Sequence, residues 1–145
     1  MRRTFRWAAG ALVAITIAIQ FVRPARTNPG ADPSYTLAAL RPVPAHVTTV
    51  LDRACRDCHS NDTRWPWYSQ VAPVSWFVID HVNHGRSHFN YSDWASYPAA
   101  DRARLLKHSC DLAREDKMPL ASYRWLHRTA RLSKADVEAI CELAE

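Results

Sequence analysis

Glycine and methionine are the residues that this sequence has least of. It holds 3 glycines and 2 methionines among 145 residues, against 9 prolines and 6 tryptophans. An all-β domain needs many tight turns, which glycine supplies best, so its scarcity argues against such a fold. No stretch alternates polar and apolar residues as a strand would, and no internal repeat occurs. The composition therefore favours a helical protein with one domain.

The chain also lacks an excess of one charge once its first residues are set aside. Residues 1–26 hold five arginines and no acidic residue, and they account for the whole formal net charge of +5. Residues 27–145 hold as many basic as acidic side chains. A basic surface for nucleic acid is therefore not expected on the folded part, and we expect no nucleic acid among its partners.

The longest apolar run lies close to the N-terminus. The stretch WAAGALVAITIAIQFV, residues 7–22, follows three arginines and precedes Arg23. An A-x-A-like cleavage pattern is missing after it. We interpret residues 1–22 as an uncleaved signal anchor, which predicts a single transmembrane helix in the inner membrane with the domain facing the periplasm. Cleavage near Ala25 and a buried core helix are the alternatives.

The rest of the chain divides into a tether and a domain. Residues 23–45 contain five prolines and predict a mostly extended tether. Residues 46–145 show helical periodicity, with a helix over 75–84 that Gly85 would cap and a final helix that starts at a capping box of Ser133 and Asp136. We therefore expect an all-α domain.

The segment CRDCH carries the clearest chemical signal. C-x-x-C-H, here Cys55, Cys58 and His59, is the attachment sequence of c-type haem. Two thiols at this spacing can add across the two vinyl groups of the porphyrin, and the following histidine then lies under the iron as the proximal ligand. A thioredoxin-like dithiol would need a βαβ context, and a zinc site would need four ligands. Two ordinary core cysteines beside a histidine are the remaining alternative.

A distal ligand for the iron is predicted on a loop. Met118 is the only methionine beyond the initiator, and Pro119 follows it. A thioether suits haem iron, and His/Met ligation raises the reduction potential. His81, His84 and His88 are the alternative distal ligands, and an open or water-bound site is a further one.

Four sequence motifs together extend the signal beyond C-x-x-C-H. They are CRDCHSNDTRWPWYSQVAPVSW, HVNHGRSHFNYSDW, KMPLASYRWLH and the final ARLSKADVEAICE. With these motifs the chain resembles, from about Val47 to its end, the small bacterial haem-binding domain proteins related to cytochrome c. The resemblance implies a cytochrome c-like helical fold around one covalent haem c per chain, on Cys55 and Cys58, with His59 as proximal ligand. Met118 falls where cytochromes of this general type place their distal methionine.

Further residues are predicted to support the haem. Pro73, with Pro66 as second choice, would offer its carbonyl to the other ring nitrogen of His59. Arg86 would pair with a haem propionate, unless it is an ordinary solvated arginine. Four aromatic side chains would wall the ring or else simply pack the core: Trp65, Trp67, Tyr68 and Trp76.

Two further cysteines lie outside these motifs. Cys110 and Cys141 fall on the apolar faces of two predicted helices. They are either small buried hydrophobic residues or the two halves of a disulfide, which would require an oxidising compartment.

The sequence predicts an electron carrier rather than an enzyme. With His59 and Met118 both on the iron no position is open for substrate. The partners expected are redox proteins of the membrane or periplasm, the membrane itself through residues 1–22, or a larger assembly. A haem-based sensor with a replaceable distal ligand, a small peroxidase and a zinc-binding interaction module are the alternatives.

Overall fold

The computed structural model describes residues 2–145, and these residues are helical with no strand. Short 3-10 turns connect the α-helices, among them Trp67–Gln70 and Tyr91–Ser96. The prediction of an all-α chain is confirmed. The α-helices are α1 (Arg2–Ile19), α2 (Leu37–Leu40), α3 (Ala45–Ala54), α4 (Arg56–His59), α5 (Val74–His88), α6 (Ala99–Arg114), α7 (Ala121–Leu126) and α8 (Lys134–Cys141).

The core forms where α3, α6 and α8 meet. α8 packs against both other helices, and each buries one apolar face, as its helical periodicity predicts. Ser133 caps α8 in the predicted capping box with Asp136, and both hydrogen bonds of the box are present. The buried residues of this core are Leu37, Val47, Val50, Leu51, Trp94, Leu106, Ala113, Ala139, Ile140 and Leu143.

A disulfide between Cys110 and Cys141 joins α6 to α8 across this core. The two Cα atoms are 4.7 Å apart, and both residues are buried. The bridge fixes the last helix of the chain, whose opposite end is held by the capping box.

The predicted membrane anchor is wrong. No helix within residues 2–145 is long and apolar enough to cross a membrane. α1 begins at Arg2, so its first turns hold Arg2, Arg3 and Arg6, and its apolar stretch 7–19 rises only about 20 Å against the roughly 30 Å of a hydrocarbon core. The single-pass inner-membrane location, with a domain facing the periplasm, depended on that helix and is corrected with it.

The end of the predicted anchor and the predicted tether both lie against the domain. The side-chain amide of Gln20 pairs with the backbone of Ala72, donating to its carbonyl at 3.0 Å and accepting from its N–H at 2.9 Å. The Val22 carbonyl accepts from the indole N–H of Trp76 at 2.7 Å. Leu37 of α2 belongs to the core. Residues 20–40 therefore contact a folded body that was predicted to begin at residue 46.

α5 is longer than the sequence predicts. Gly85 does not end it, because the helix continues to His88 and the N–H of Phe89 closes its last turn on the Gly85 carbonyl. This extra turn places Phe89 beside the C-x-x-C-H segment.

Candidate functional site

The C-x-x-C-H segment forms the junction of α3 and α4. Cys55 stands between the two helices, and Cys58 and His59 lie on the single turn of α4. Both cysteines are free and half-buried. Cys55 packs against the hydrophobic core, so the junction is fixed by the same residues that hold the fold together.

Burial raises the pKa of both motif thiols, so both are protonated at pH 7. It raises the pKa of Cys55 to about 12, although the Tyr91 hydroxyl opposes the rise through a hydrogen bond. It raises the pKa of Cys58 to about 11. A thioredoxin-like dithiol needs a lowered thiol pKa and a preceding strand. The residues described offer neither, so the dithiol interpretation has no support.

The imidazole of His59 is held by Phe89 at the end of α5. Its Nδ1 lies 3.2 Å from the Phe89 carbonyl oxygen, and its ring stacks on that of Phe89 with centroids 4.2 Å apart. Burial lowers the pKa of His59, so the ring is neutral at pH 7. With Nδ1–H donating to Phe89, the lone pair of Nε2 is left for a metal.

Pro73 does not fill the role predicted for it. Its carbonyl accepts the N–H of Trp76 at 3.1 Å, in the first turn of α5. The carbonyl that faces Nδ1 of His59 belongs instead to Phe89, at the other end of the same helix. Pro66, the second choice, has its carbonyl bound to Ser69 by both the N–H and the hydroxyl.

These residues fit a covalently attached haem. Attachment through C-x-x-C-H needs two free thiols one helical turn apart and a neutral imidazole whose far nitrogen is oriented by a hydrogen bond. Cys55, Cys58 and His59 meet each of these requirements.

Met118 lies on the loop between α6 and α7. Its side chain is half-buried, and its backbone N–H donates to the Leu112 carbonyl at 3.2 Å. The helix that follows contacts the attachment motif, because the Tyr123 hydroxyl donates to the Asp57 carboxylate at 2.7 Å. Ligation of iron by Met118 stays a prediction.

The three candidate histidines all lie on α5. His81 has Nδ1 2.8 Å from the Phe77 carbonyl, and the exposed rings of His84 and His88 are 4.4 Å apart. His88 directly precedes Phe89, the residue that faces Nδ1 of His59. The three histidines stay alternatives to Met118 as distal ligand.

The predicted aromatic wall divides into separate roles. Trp65 donates its indole N–H to Asn28 Oδ1 at 3.1 Å, and Trp76 donates to Val22. Both indoles therefore fasten the N-terminal segment. Tyr68 Oη lies 2.5 Å from Nε2 of His127, and Trp67 is 76% exposed.

Arg86 binds protein groups in this structure. Its guanidinium donates to the Ser60 carbonyl and to Thr63 Oγ1, both at 2.8 Å. It also donates to the Thr27 carbonyl at 2.8 Å and to Asn28 Oδ1 at 3.1 Å. Four hydrogen bonds give it a structural role between α5, the loop after the motif and residues 27–28. The predicted propionate contact stays a prediction.

Sequence reasoning missed several residues that surround the motif. Phe89 and Tyr91 pack on His59, with ring centroids at 4.2 and 6.4 Å. The buried Asp57 pairs with the half-buried Tyr123, and the ring of Tyr123 stacks on that of His127 at 4.1 Å. The i, i+4 spacing of Tyr123 and His127 is a signal that could have found that stack.

A zinc site has no support. Residues 2–145 contain no group of three or more His, Cys, Asp or Glu side chains placed to hold a metal ion. The disulfide occupies Cys110 and Cys141, so they cannot complete a site with the motif cysteines.

A helical domain with a C-x-x-C-H motif whose histidine is oriented and neutral has the features expected of a haem-binding domain. A family profile described as a haem-binding domain matches residues 14–145. The chain therefore belongs to this haem-binding domain family. Neither the curated proteins nor the solved structures include a match to the chain.

Proposed function

We propose that this haem-binding protein is a monohaem c-type cytochrome that carries single electrons. The observation that carries the proposal is His59, a half-buried, neutral imidazole that is oriented by the Phe89 carbonyl and preceded by two free thiols. When bound, haem supplies the one-electron chemistry of its iron.

Each residue of the motif then has a defined task. Cys55 and Cys58 would hold the haem, each thiol adding its S–H across one vinyl C=C bond so that sulfur bonds to one vinyl carbon and hydrogen to the other. The Phe89 carbonyl orients the imidazole of His59, which would be an iron ligand, and raises its basicity. Met118 would provide a thioether ligand, which would stabilise the reduced state and raise the reduction potential.

The proximal side is shielded by aromatic rings. The ring of Phe89 packs on Tyr91 and on the buried Trp94, with centroids at 5.0 and 6.1 Å. This cluster lowers the local dielectric constant beside His59, which would disfavour the more highly charged oxidised state of a bound haem. With His59 and Met118 both as ligands, the haem would supply electron transfer and leave no position for substrate, so the protein would be a carrier and not a catalyst.

Redox proteins are the partners that this function implies. Residues 27–145 carry no formal net charge. Association through short-range contacts is therefore expected, with little electrostatic steering and a weak dependence on ionic strength.

The test is the optical spectrum of the full chain from a host that matures c-type cytochromes. We expect a c-type pyridine haemochrome, haem that survives acid–acetone extraction, and the far-red ferric band of methionine ligation. Cys55→Ala with Cys58→Ala should abolish covalent haem, and Met118→Ala should remove the far-red band alone.

Two results would overturn the proposal at different levels. A colourless protein would remove the c-type assignment. Covalent haem without the far-red band, with rapid binding of carbon monoxide to the ferrous form, would indicate an open site and favour a haem-based sensor.

A further inference from the structure

Asp57 is a buried carboxylate inside the attachment motif, between the two cysteines. It is only 8% exposed. Its Oδ1 accepts from the Nε–H and the backbone N–H of Arg64, at 3.0 and 3.2 Å. Its Oδ2 accepts from the hydroxyl of Tyr123 at 2.7 Å. The proposed function assigns no role to this carboxylate.

Tyr123 belongs to α7, the first helix after the methionine loop. Its ring stacks on His127, with centroids 4.1 Å apart and an interplanar angle of 10°. The Nε2 of His127 is in turn hydrogen-bonded to the hydroxyl group of Tyr68, at 2.5 Å. Tyr123, whose hydroxyl binds Asp57, is therefore also linked through His127 to Tyr68 in the segment after the motif.

The methionine loop is anchored at both ends. On the α6 side, Lys117 and Met118 both donate their backbone N–H to the Leu112 carbonyl, at 3.0 and 3.2 Å. On the α7 side, Arg124 forms an ion pair with Asp116. These contacts fix the conformation of the loop, but none of them joins the loop to α4.

We propose that the hydrogen bond from Tyr123 to Asp57 positions the Met118 loop against the haem-attachment helix and so stabilises the distal methionine ligand. This inference rests on the proposed function, because it presumes that Met118 binds iron. Asp57 and Tyr123 are positioning residues, since neither is required to touch haem. The bond joins the helix that holds the proximal ligand to the helix that follows the distal one.

The bond has the character that such a role requires. A hydrogen bond to a buried carboxylate is stronger than one between neutral groups, and its loss leaves Oδ2 without a donor. Removing the hydroxyl while keeping the ring preserves the stack on His127. Tyr123→Phe therefore isolates the bond from the packing.

The experiment is a titration of the ferric holoprotein with imidazole, followed through the far-red band. We expect Tyr123→Phe to bind imidazole about tenfold to a hundredfold more tightly, which corresponds to one lost charge-assisted hydrogen bond. Asp57→Asn, which retains a polar partner for the phenol, should change in the same direction by less. Tyr35→Phe, at an exposed tyrosine, is the matched control and should titrate like the wild type.

The outcomes separate this inference from the function on which it rests. A wild type with the far-red band and an unchanged Tyr123→Phe titration overturns this inference alone. A wild type without the band overturns both. If Tyr123→Phe yields no holoprotein, Asp57→Asn decides: tighter imidazole binding supports the inference, and an unchanged titration overturns it.

Discussion

Gly85 of α5 lies directly against the backbone of Cys58. A Cβ atom at this glycine would stand 2.6 Å from the Cys58 carbonyl oxygen and 3.1 Å from its Cβ. The absence of a side chain therefore allows α5 to approach the attachment helix closely enough for Phe89 to reach His59.

Gly85→Ala should separate these two helices. The contact is with backbone, which cannot rotate away as a side chain can, so we expect the free energy of unfolding to fall by about 1–3 kcal/mol and the yield of haem-loaded protein to drop. Urea unfolding and the haem-to-protein ratio measure both effects. Gly10→Ala is the matched control, because nothing lies within 4 Å of its Cβ position on α1. Equal stability of the two variants would contradict the close approach.

Arg86→Lys tests whether this arginine holds the protein together. A lysine keeps the positive charge. Its single ammonium group cannot donate at the same time to residues 27–28 and to Ser60 and Thr63, as the guanidinium does. We expect the free energy of unfolding, measured in urea, to fall by about 2–4 kcal/mol. Arg104→Lys, at an exposed ion pair with Asp101, should change by less than about 0.5 kcal/mol. If Arg86→Lys unfolds like this control but shifts the reduction potential, the propionate contact would be favoured instead.

The disulfide is predicted to contribute stability without affecting haem. Cys110 and Cys141 are separated by 31 residues, and closing a loop of that length is worth about 3–4 kcal/mol in the chain-entropy model. The double variant Cys110→Ala with Cys141→Ala should lose about that much in urea unfolding while its haem content stays constant. Wild-type protein treated with a reductant should show the same loss. A drop in haem content would instead show that α8 shapes the attachment site.

The sequence could predict those features that depend only on residues close together in the chain. The capping box of α8 needs only Ser133 and Asp136 three residues apart, and C-x-x-C-H needs only five consecutive residues. The carbonyl that faces His59 depends on α5 continuing through Gly85, a position where glycine also predicts a helix end. In this structure the glycine allows α5 to approach Cys58 closely. No local sequence pattern distinguishes a glycine that ends a helix from one that allows such close packing.

The N-terminal segment shows a second limit of local reasoning. Gln20 lies in the apolar run of residues 7–22, and its side-chain amide pairs with the backbone of Ala72. Such a pairing between distant residues leaves no periodic signature. The same holds for Asp57 and Tyr123, whose side chains are hydrogen-bonded although they are 66 residues apart in the chain.

The ion pair between Arg53 and Asp136 should make stability fall in acid. Arg53, with further hydrogen bonds from Ser133, lowers the pKa of Asp136 to about 2 from an ordinary value of 3.8. A carboxyl whose pKa is lower in the folded state contributes stability above pH 3.8, and that contribution is lost as the pH falls from 3.8 towards 2.

Asp136→Asn should therefore lower the free energy of unfolding by about 2 kcal/mol at pH 7, and the difference from wild type should disappear near pH 2. Urea unfolding of both proteins at several pH values measures the difference directly, and other titrating groups cancel in it. Asp101→Asn, at an exposed pair, should differ little from wild type at any pH. A difference for Asp136→Asn that persists at pH 2 would mean that the residue acts through the cap of α8, whose hydrogen bonds from Ser133 do not require its charge.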